Sequence, residues 1–361
     1  MKSNGTKDEM GIGLGRREFL KKSGMILGAV SLGGMPLETR AQNFSKWKYY
    51  YYTPPLHHDT VTMKEFAKEV DQLTGNQVQI TIHPGGELPY PPMEALNIVR
   101  DKFVDGAGAV SDFVAGSAPL LNLMNLPMLV TDLNEMTKAM KVFMPYVEKD
   151  FEARGIRILF WHFNSQKCVF GRGKPVSSLN DLKGMKIRSF GVPDAQFIQR
   201  IGAIPVAMPN TEVPQAMQRG VMDAFIASAF FTLGSRWDDL MDWAYLIDMA
   251  VVSVYEVVGV PSLKGLSADQ SKTLFDLAMK YQGRWNQEIV ELEKKARVDM
   301  GNKGKKMLQA TENDRAKAME IIKPYWAEWA KAVGPTKTRL PLLGARSSGR
   351  TRNSAPVIRC R

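Results

Sequence analysis

The 361-residue chain is 44% hydrophobic and 24% charged, which fits a folded globular protein long enough for two domains and excludes a low-complexity or disordered chain. Its net charge of +11 sits at the ends: residues 1–41 carry seven basic and four acidic residues, residues 336–361 seven basic and none acidic, and the remainder 34 basic against 33 acidic. A body so nearly neutral removes the main support for nucleic-acid binding.

The amino end, GRREFLKKSGMILGAVSLGGM, sets Arg16 and Arg17 ahead of Phe19, Leu20 and Lys21, followed by a modest apolar run and small residues up to Ala41. This is the layout of a twin-arginine export signal over residues 1–41, cleaved after Ala41, and it predicts a periplasmic protein. Met25–Leu32 is too short and too glycine-rich to span a bilayer. Trp47–Tyr52 then reads as an aromatic strand. A loop with Pro54, Pro55, His57 and His58 leads to a helix capped by Asp59 or Thr60, whose Met63, Phe66, Ala67, Val70 and Leu73 recur at helical spacing before Gly75. Val78, Ile80 and Ile82 alternate with polar residues as a second strand. Met93–Phe103 reads as a helix, Gly106–Val110 as a strand, Thr131–Arg154 as a long amphipathic helix and Ile156–Trp161 as a strand.

A second β–α–β series follows. Met185–Ser189 is a short strand, and Pro193 fits the first turn of a helix in which Phe197 and Ile201 share a face before Gly202. Ile204–Met208 is the next strand, Thr211–Arg219 the next helix and Val221–Ile226 the start of a third strand. Such units make parallel sheets, and open sheets of this kind bind ligands beyond the carboxyl ends of their strands. Arg188 stands at such an end, where a guanidinium can grip a carboxylate with two parallel hydrogen bonds. Val251–Val260 is a long β-branched strand, and Ser267 to Val333 reads as mostly helical, with Tyr325, Trp326 and Trp329 clustered. Residues 336–361, rich in Arg, Ser, Pro and Gly, read either as a disordered tail or as the product of a shifted reading frame. Cys168 and Cys360 are the only cysteines, so neither a structural disulfide nor a four-thiolate cluster is expected.

The ordered runs LKGMKIRS, GAIPVAMP and EVPQAMQRGVMDA, with TPPLHHDTVTMKEFAKEV, the HPGGEL turn and LMNLPML, resemble the substrate-binding proteins of TRAP transporters, the DctP-like family, from about Trp47 to Gly334. The resemblance implies an α/β, two-lobed periplasmic-binding-protein fold of type II. Each lobe would be a mixed, mostly parallel sheet flanked by helices, with ligand in the cleft between them. Lobe one is expected over 44–164 plus 253–292, and lobe two over 165–252 plus 293–335 with the final helices. It also implies a monomeric receptor that hands a small organic acid to small and large membrane permease subunits. No cofactor is expected.

The resemblance makes Arg188 the anchor of the ligand carboxylate and puts Lys167 where many relatives carry a second ligand-facing arginine. Relatives often read D-G-x-x-N where this chain has Asp223-Ala224-Phe225-Ile226-Ala227. The pocket is therefore expected to be less polar on this side, favouring a monocarboxylate with an apolar or aromatic body over a sugar acid, with Phe225 read as wall or core. Phe230 and Phe231 are read as core or wall. Asn210 reads as a helix cap or, by resemblance, a ligand contact. Tyr52, His58 and Ser111, at strand ends or adjoining loops, complete the expected site. His57 and His58 have no helpers at metal-ligand spacing, so no metal is expected. The chain lacks the nucleophile elbow, P-loop, zinc-protease and dinucleotide motifs of an enzyme. An exported enzyme on the same scaffold, or a sensory module feeding a receptor, stand as the alternatives.

Overall fold

The computed structural model describes residues 44–334, so the export signal expected over 1–41 and the tail over 336–361 lie outside the described residues. Strand β1 (Ser45–Tyr50) turns Trp47, Tyr49 and Tyr50 inward while Lys46 and Lys48 face solvent. Helix α1 (His58–Leu73) buries Met63, Phe66 and Val70. Its cap is His57, whose ring accepts from the Asp59 amide, rather than Asp59 or Thr60. β2 (Val78–His83), α2 (Ala95–Arg100) and β3 (Gly106–Val110) follow. The helix expected over Met93–Phe103 is a 3-10 turn at Pro92–Glu94 running into α2. The short helices α3 (Ser111–Val114) and α4 (Asn122–Asn125) lead to α5 (Leu133–Glu152), capped by the Asp132 carboxylate on the Glu135 amide. β4 (Ile156–Gln166) runs five residues beyond the expected Trp161.

Lys167 alone separates β4 from β5 (Cys168–Gly171). Then come β6 (Lys186–Ser189), α6 (Val192–Arg200), β7 (Ile204–Ala207), α7 (Val213–Gln218), β8 (Ala224–Ala227), α8 (Ala229–Gly234) and β9 (Trp243–Leu246). β10 (Val251–Gly259) is buried along its whole length, as its run of valines predicts. After α9 (Val260–Lys264), α10 (Ala268–Asn302) continues unbroken through residue 292, where the sequence reading divides the two lobes. At 35 residues it is about 50 Å long. β11 (Lys306–Gln309) interrupts the helices expected from Ser267 onward, and α11 (Glu312–Val333) completes the described chain.

The strands form two sheets, ordered β2-β1-β3-β10-β4 and β11-β9-β5-β8-β6-β7. In the first, β1 pairs parallel with β2 and β3, and β10 runs against both β3 and β4. In the second, β6 pairs parallel with β7 and β8, β11 with β9, and β5 runs against β8 and β9. Each sheet therefore has one reversed strand, and each reversed strand is one the chain enters on crossing from the other sheet. This is the expected α/β architecture of two mixed, mostly parallel sheets with flanking helices.

Close packing leaves no space at Gly171, where an added Cβ would lie 2.1 Å from the Trp243 ring on the neighbouring strand β9. Trp243 is fully buried and has nowhere to move. Gly171→Ala should lower stability by about 1–3 kcal/mol. Gly116→Ala, where a Cβ meets nothing within 4 Å, should change it little. Chemical denaturation followed by circular dichroism checks both.

Candidate functional site

Strand direction brings the carboxyl ends of both sheets to one narrow cavity. From the first sheet's side come Tyr52 beyond β1, Val110 at the end of β3, Phe113 on α3, Asn164 near the end of β4, and Val252 at the start of the reversed β10. From the second come Phe190 beyond β6, Asn210 beyond β7, and Ser228 and Phe231 beyond β8. The walls are mostly apolar, with a few polar groups set among them, as small-molecule sites usually are.

Arg188 lies beneath the Phe190–Asn210 side of this wall, 1% exposed. Its Nε and Nη2 donate to the Met208 carbonyl at 3.2 and 3.1 Å, and Nη2 also donates to Asn210 Oδ1 at 2.7 Å. The guanidinium stacks 4.1 Å from the Phe190 ring centre, and Trp237 lies farther off at 6.0 Å. Nη1 is buried with no hydrogen-bond partner. Burial lowers the Arg188 pKa to about 10, against the pull of Asp194 and Asp112, so the group stays charged at neutral pH. Its neighbours Phe190 and Asn210 line the cavity, and an unused donor on a buried guanidinium is open to an anion.

Asn210 is not a helix cap, because its side-chain oxygen is taken by Arg188 and the helical turn there starts at Pro209 without a side-chain cap. Phe225 lies beneath the wall rather than in it. It is in register with Arg188 across β6 and β8, stacks on Phe170 at 5.6 Å and meets Trp237 edge-on at 5.3 Å. The aromatic wall residues are Tyr52, Phe113, Phe190 and Phe231.

Lys167, at the junction of the sheets, is fully buried and donates to Asp112 Oδ1 at 2.6 Å and Asp194 Oδ1 at 3.0 Å. Asp112 is on α3, Asp194 on α6, so one ammonium ties elements of both sheets. Burial works against its charge, but the two carboxylates outweigh it and hold the Lys167 pKa above its ordinary value. Burial raises Asp112 to about 6, and Asp194 adds to this, while Lys167 pulls the other way. Asp112 Oδ2 has no partner, whereas Asp194 Oδ2 accepts from the Phe190 amide.

Tyr52 donates its hydroxyl to Asp59 Oδ2 at 3.0 Å and accepts from Asn164 Nδ2 at 3.2 Å. Burial opposes the Asp59 charge, but His57, His58 and His162 outweigh it and bring its pKa to about 2. Burial pushes His57 down, while contacts with Asp59 and Glu288 push His58 up against its own burial. His58 stands with its Nδ1 3.6 Å from Asp59 Oδ1. It lies behind Tyr52, 3.3 Å from Glu288, and not in the cavity wall. Ser111 is also buried behind the wall, donating to Asn125 Oδ1 at 3.0 Å. Among the described residues, no group of three or more His, Cys, Asp or Glu is placed to hold a metal ion.

The sequence reading missed Asn164, Phe113, Phe190, Asp112 and Asp194. Asn164 carries a signal that could have found it, a polar run with Ser165 and Gln166 closing a mostly apolar strand. The carboxylates that meet Lys167 lie 55 and 27 residues away, and no local pattern joins them.

The family model described as bacterial extracellular solute-binding protein, family 7 (DctP), matches residues 50–332. A solute-binding protein of Sulfitobacter sp. strain NAS-14.1, NAS141_03721, is 24% identical over 282 residues, covering 77% of this chain and 84% of that protein. Among solved structures, the Bordetella pertussis extracytoplasmic solute receptor DctP7, which binds pyroglutamic acid, superposes with a TM-score of 0.77 at 21% identity, covering 81% of this chain and 97% of that one. A TRAP periplasmic solute-binding protein of Sulfitobacter sp. NAS-14.1 with bound β-D-galacturonate gives 0.76 at 17% identity, covering 83% and 98%. These likenesses show the two-lobed fold.

The Asp112 carboxyl makes stability fall as pH rises. Between about pH 4 and 6 the folded chain keeps a proton that the unfolded chain has released, so the group's contribution is complete below the unfolded pKa and is lost through the folded one. The loss amounts to at most about 3 kcal/mol. Asp112→Asn, which keeps the shape and cannot ionise, should flatten this part of the Tm-against-pH curve in differential scanning calorimetry. Lys167→Met, which strands two buried carboxylates, should cost about 3–5 kcal/mol at pH 7, measured by denaturant unfolding.

Proposed function

We propose that this chain, which belongs to the DctP family of bacterial extracellular solute-binding proteins, is an exported receptor of a TRAP-type transporter that captures a small organic acid and delivers it to membrane permease subunits. The observation that carries this reading is the buried Arg188 guanidinium, whose Nη1 has no partner and whose neighbours Phe190 and Asn210 line a cavity between the two sheets. A ligand carboxylate takes that donor, and Asn210, already bonded to Arg188, supports the same pole. Residues 44–164 with 253–292 form one lobe and 165–252 with 293–335 the other. The lobes close over the ligand, and its binding shifts the population toward the closed form. The Arg16–Arg17 signal takes the folded protein to the periplasm by the twin-arginine route.

The ligand is a compact monocarboxylate with a flat or apolar body. Phe113, Phe190, Phe231, Val110 and Val252 favour it, and they replace Phe225 as the basis for this expectation. The pyroglutamic acid held by the Bordetella receptor is a small cyclic acid of this kind, which supports the reading. The galacturonate held by the Sulfitobacter protein means the fold itself does not choose between acids, so the choice falls to the wall residues. Lys167 acts on the seam between the lobes rather than on the ligand, because two of its three donors already serve Asp112 and Asp194. Tyr52 contributes to the wall, with His58 and Ser111 fixed behind it.

A thermal-shift screen tests the reading. Pyroglutamate and other small monocarboxylates should raise Tm, while galacturonate and succinate should not. Arg188→Lys keeps the charge but loses the fork, and calorimetry should show affinity for the best monocarboxylate falling by roughly 10- to 100-fold. An affinity within twofold of the natural protein would remove Arg188 as the anchor.

A further inference from the structure

Two amides in the cavity wall have their orientations fixed by what lies behind them, and they are fixed in opposite senses. Asn210 faces Arg188, and a guanidinium carries only donors, so the oxygen must turn toward it and the NH2 away. Asn164 faces the Tyr52 hydroxyl, 3.2 Å from its Nδ2. That hydroxyl has a single hydrogen, which it donates to Asp59 Oδ2 at 3.0 Å. Asp59 is fully buried among histidines, which hold it in the acceptor-only carboxylate form. The Tyr52 oxygen can then only accept, so Asn164 must present its NH2 to Tyr52 and point its carbonyl elsewhere. Asn164 Oδ1 is buried with no partner, on a residue only 6% exposed that lines the cavity.

The cavity therefore has two poles on opposite sheets. The Asn210 amide, from the second sheet, offers donors, with the Arg188 guanidinium and its unpartnered Nη1 behind it. Asn164 Oδ1, from the first, offers an acceptor that nothing in the protein satisfies. Leaving a buried acceptor unpaired is costly, and a ligand that pairs it is selected over one that does not. We infer that the site takes a carboxylic acid carrying an N–H or O–H donor on the side away from its carboxylate, and that Tyr52 is the positioning residue that sets this choice by locking the orientation of Asn164. The inference rests on Arg188 as the carboxylate anchor and adds the second functional group of the ligand. The relay Asp59–Tyr52–Asn164 acts as a polarity filter: an acid with only acceptors at its far end meets a carbonyl and is repelled.

Isothermal titration of the full chain with three five-membered-ring acids tests this. Pyrrole-3-carboxylate carries an N–H donor across the ring from its carboxylate, tetrahydrofuran-3-carboxylate only an acceptor there, and cyclopentanecarboxylate neither. The pyrrole acid should bind at least about tenfold more tightly than the tetrahydrofuran acid, with the cyclopentane acid between them. In Tyr52→Phe the amide is free to turn, and this spread should collapse to within about threefold, a change of selectivity that mere loosening of the fold does not produce. Equal binding of the three by the natural chain, or a preference for the tetrahydrofuran acid, would overturn the inference while leaving the carboxylate anchor standing. Retention of the tenfold spread in Tyr52→Phe would overturn the role of Tyr52. If none of the three binds at millimolar concentration, the carboxylate reading fails and the inference with it. The comparison on the natural chain needs no variant to fold.

Discussion

One buried ammonium holds the halves of the site together. Lys167 occupies the single position between β4 and β5, so the chain cannot pass from one sheet to the other without burying it. Removed from water, its charge must be matched, and Asp112 and Asp194 do so from elements that belong to different sheets. Asp194 in turn accepts from the Phe190 amide, and the Phe190 ring stacks on Arg188. The two cations are thus parts of one arrangement with opposite tasks. Lys167 has its charge answered inside the protein, while Arg188 keeps a donor unused. Together with Asp112 and Asp194 they form a nearly neutral group, two cations against two carboxylates.

Much of this was legible in the sequence. The long elements announced themselves because their burial repeats: the valine run of β10, the aromatic inner face of β1, and the apolar stripes of α1 and α5. Arg188 was legible because a cation at the end of a short apolar strand is conspicuous in a β–α–β series. The strands β5, β9 and β11 were not. Each has four residues, too few to show a period, and none lies in a β–α–β series like the one that marks the equally short β6, β7 and β8; each exists because a neighbouring strand offers a free edge. Lys306–Gln309 is a weak strand former that reads as helix until β9 is there to pair with it.

The site shows the same divide. Phe225 reads as wall or core from its position in the sequence, and register sets it on the strand beside Arg188 with its ring against Phe170 and Trp237, in the core. Phe231, two residues into the helix beyond β8, swings back to the cavity. Asn210 reads as a cap from its position before a helical turn, but the guanidinium competes for the same oxygen and wins, because a charge-assisted hydrogen bond outweighs a neutral one. Local rules propose a partner for each polar group, and the tertiary structure supplies a stronger one from a distance.

The reversed strands have a consequence for how the chain assembles. β10 fills the gap between β3 and β4 in the first sheet, but it is made about a hundred residues after β4 and after most of the second sheet. Until it emerges from the ribosome, β3 and β4 expose unpaired edges, and the second sheet still lacks β11. Neither half is a contiguous piece of chain, so neither can be completed by itself, and a break in the gene between them would leave both products with open edges prone to pairing wrongly. Such a protein reaches its native state only near the end of synthesis, and a ligand site that both sheets complete is the last feature to appear.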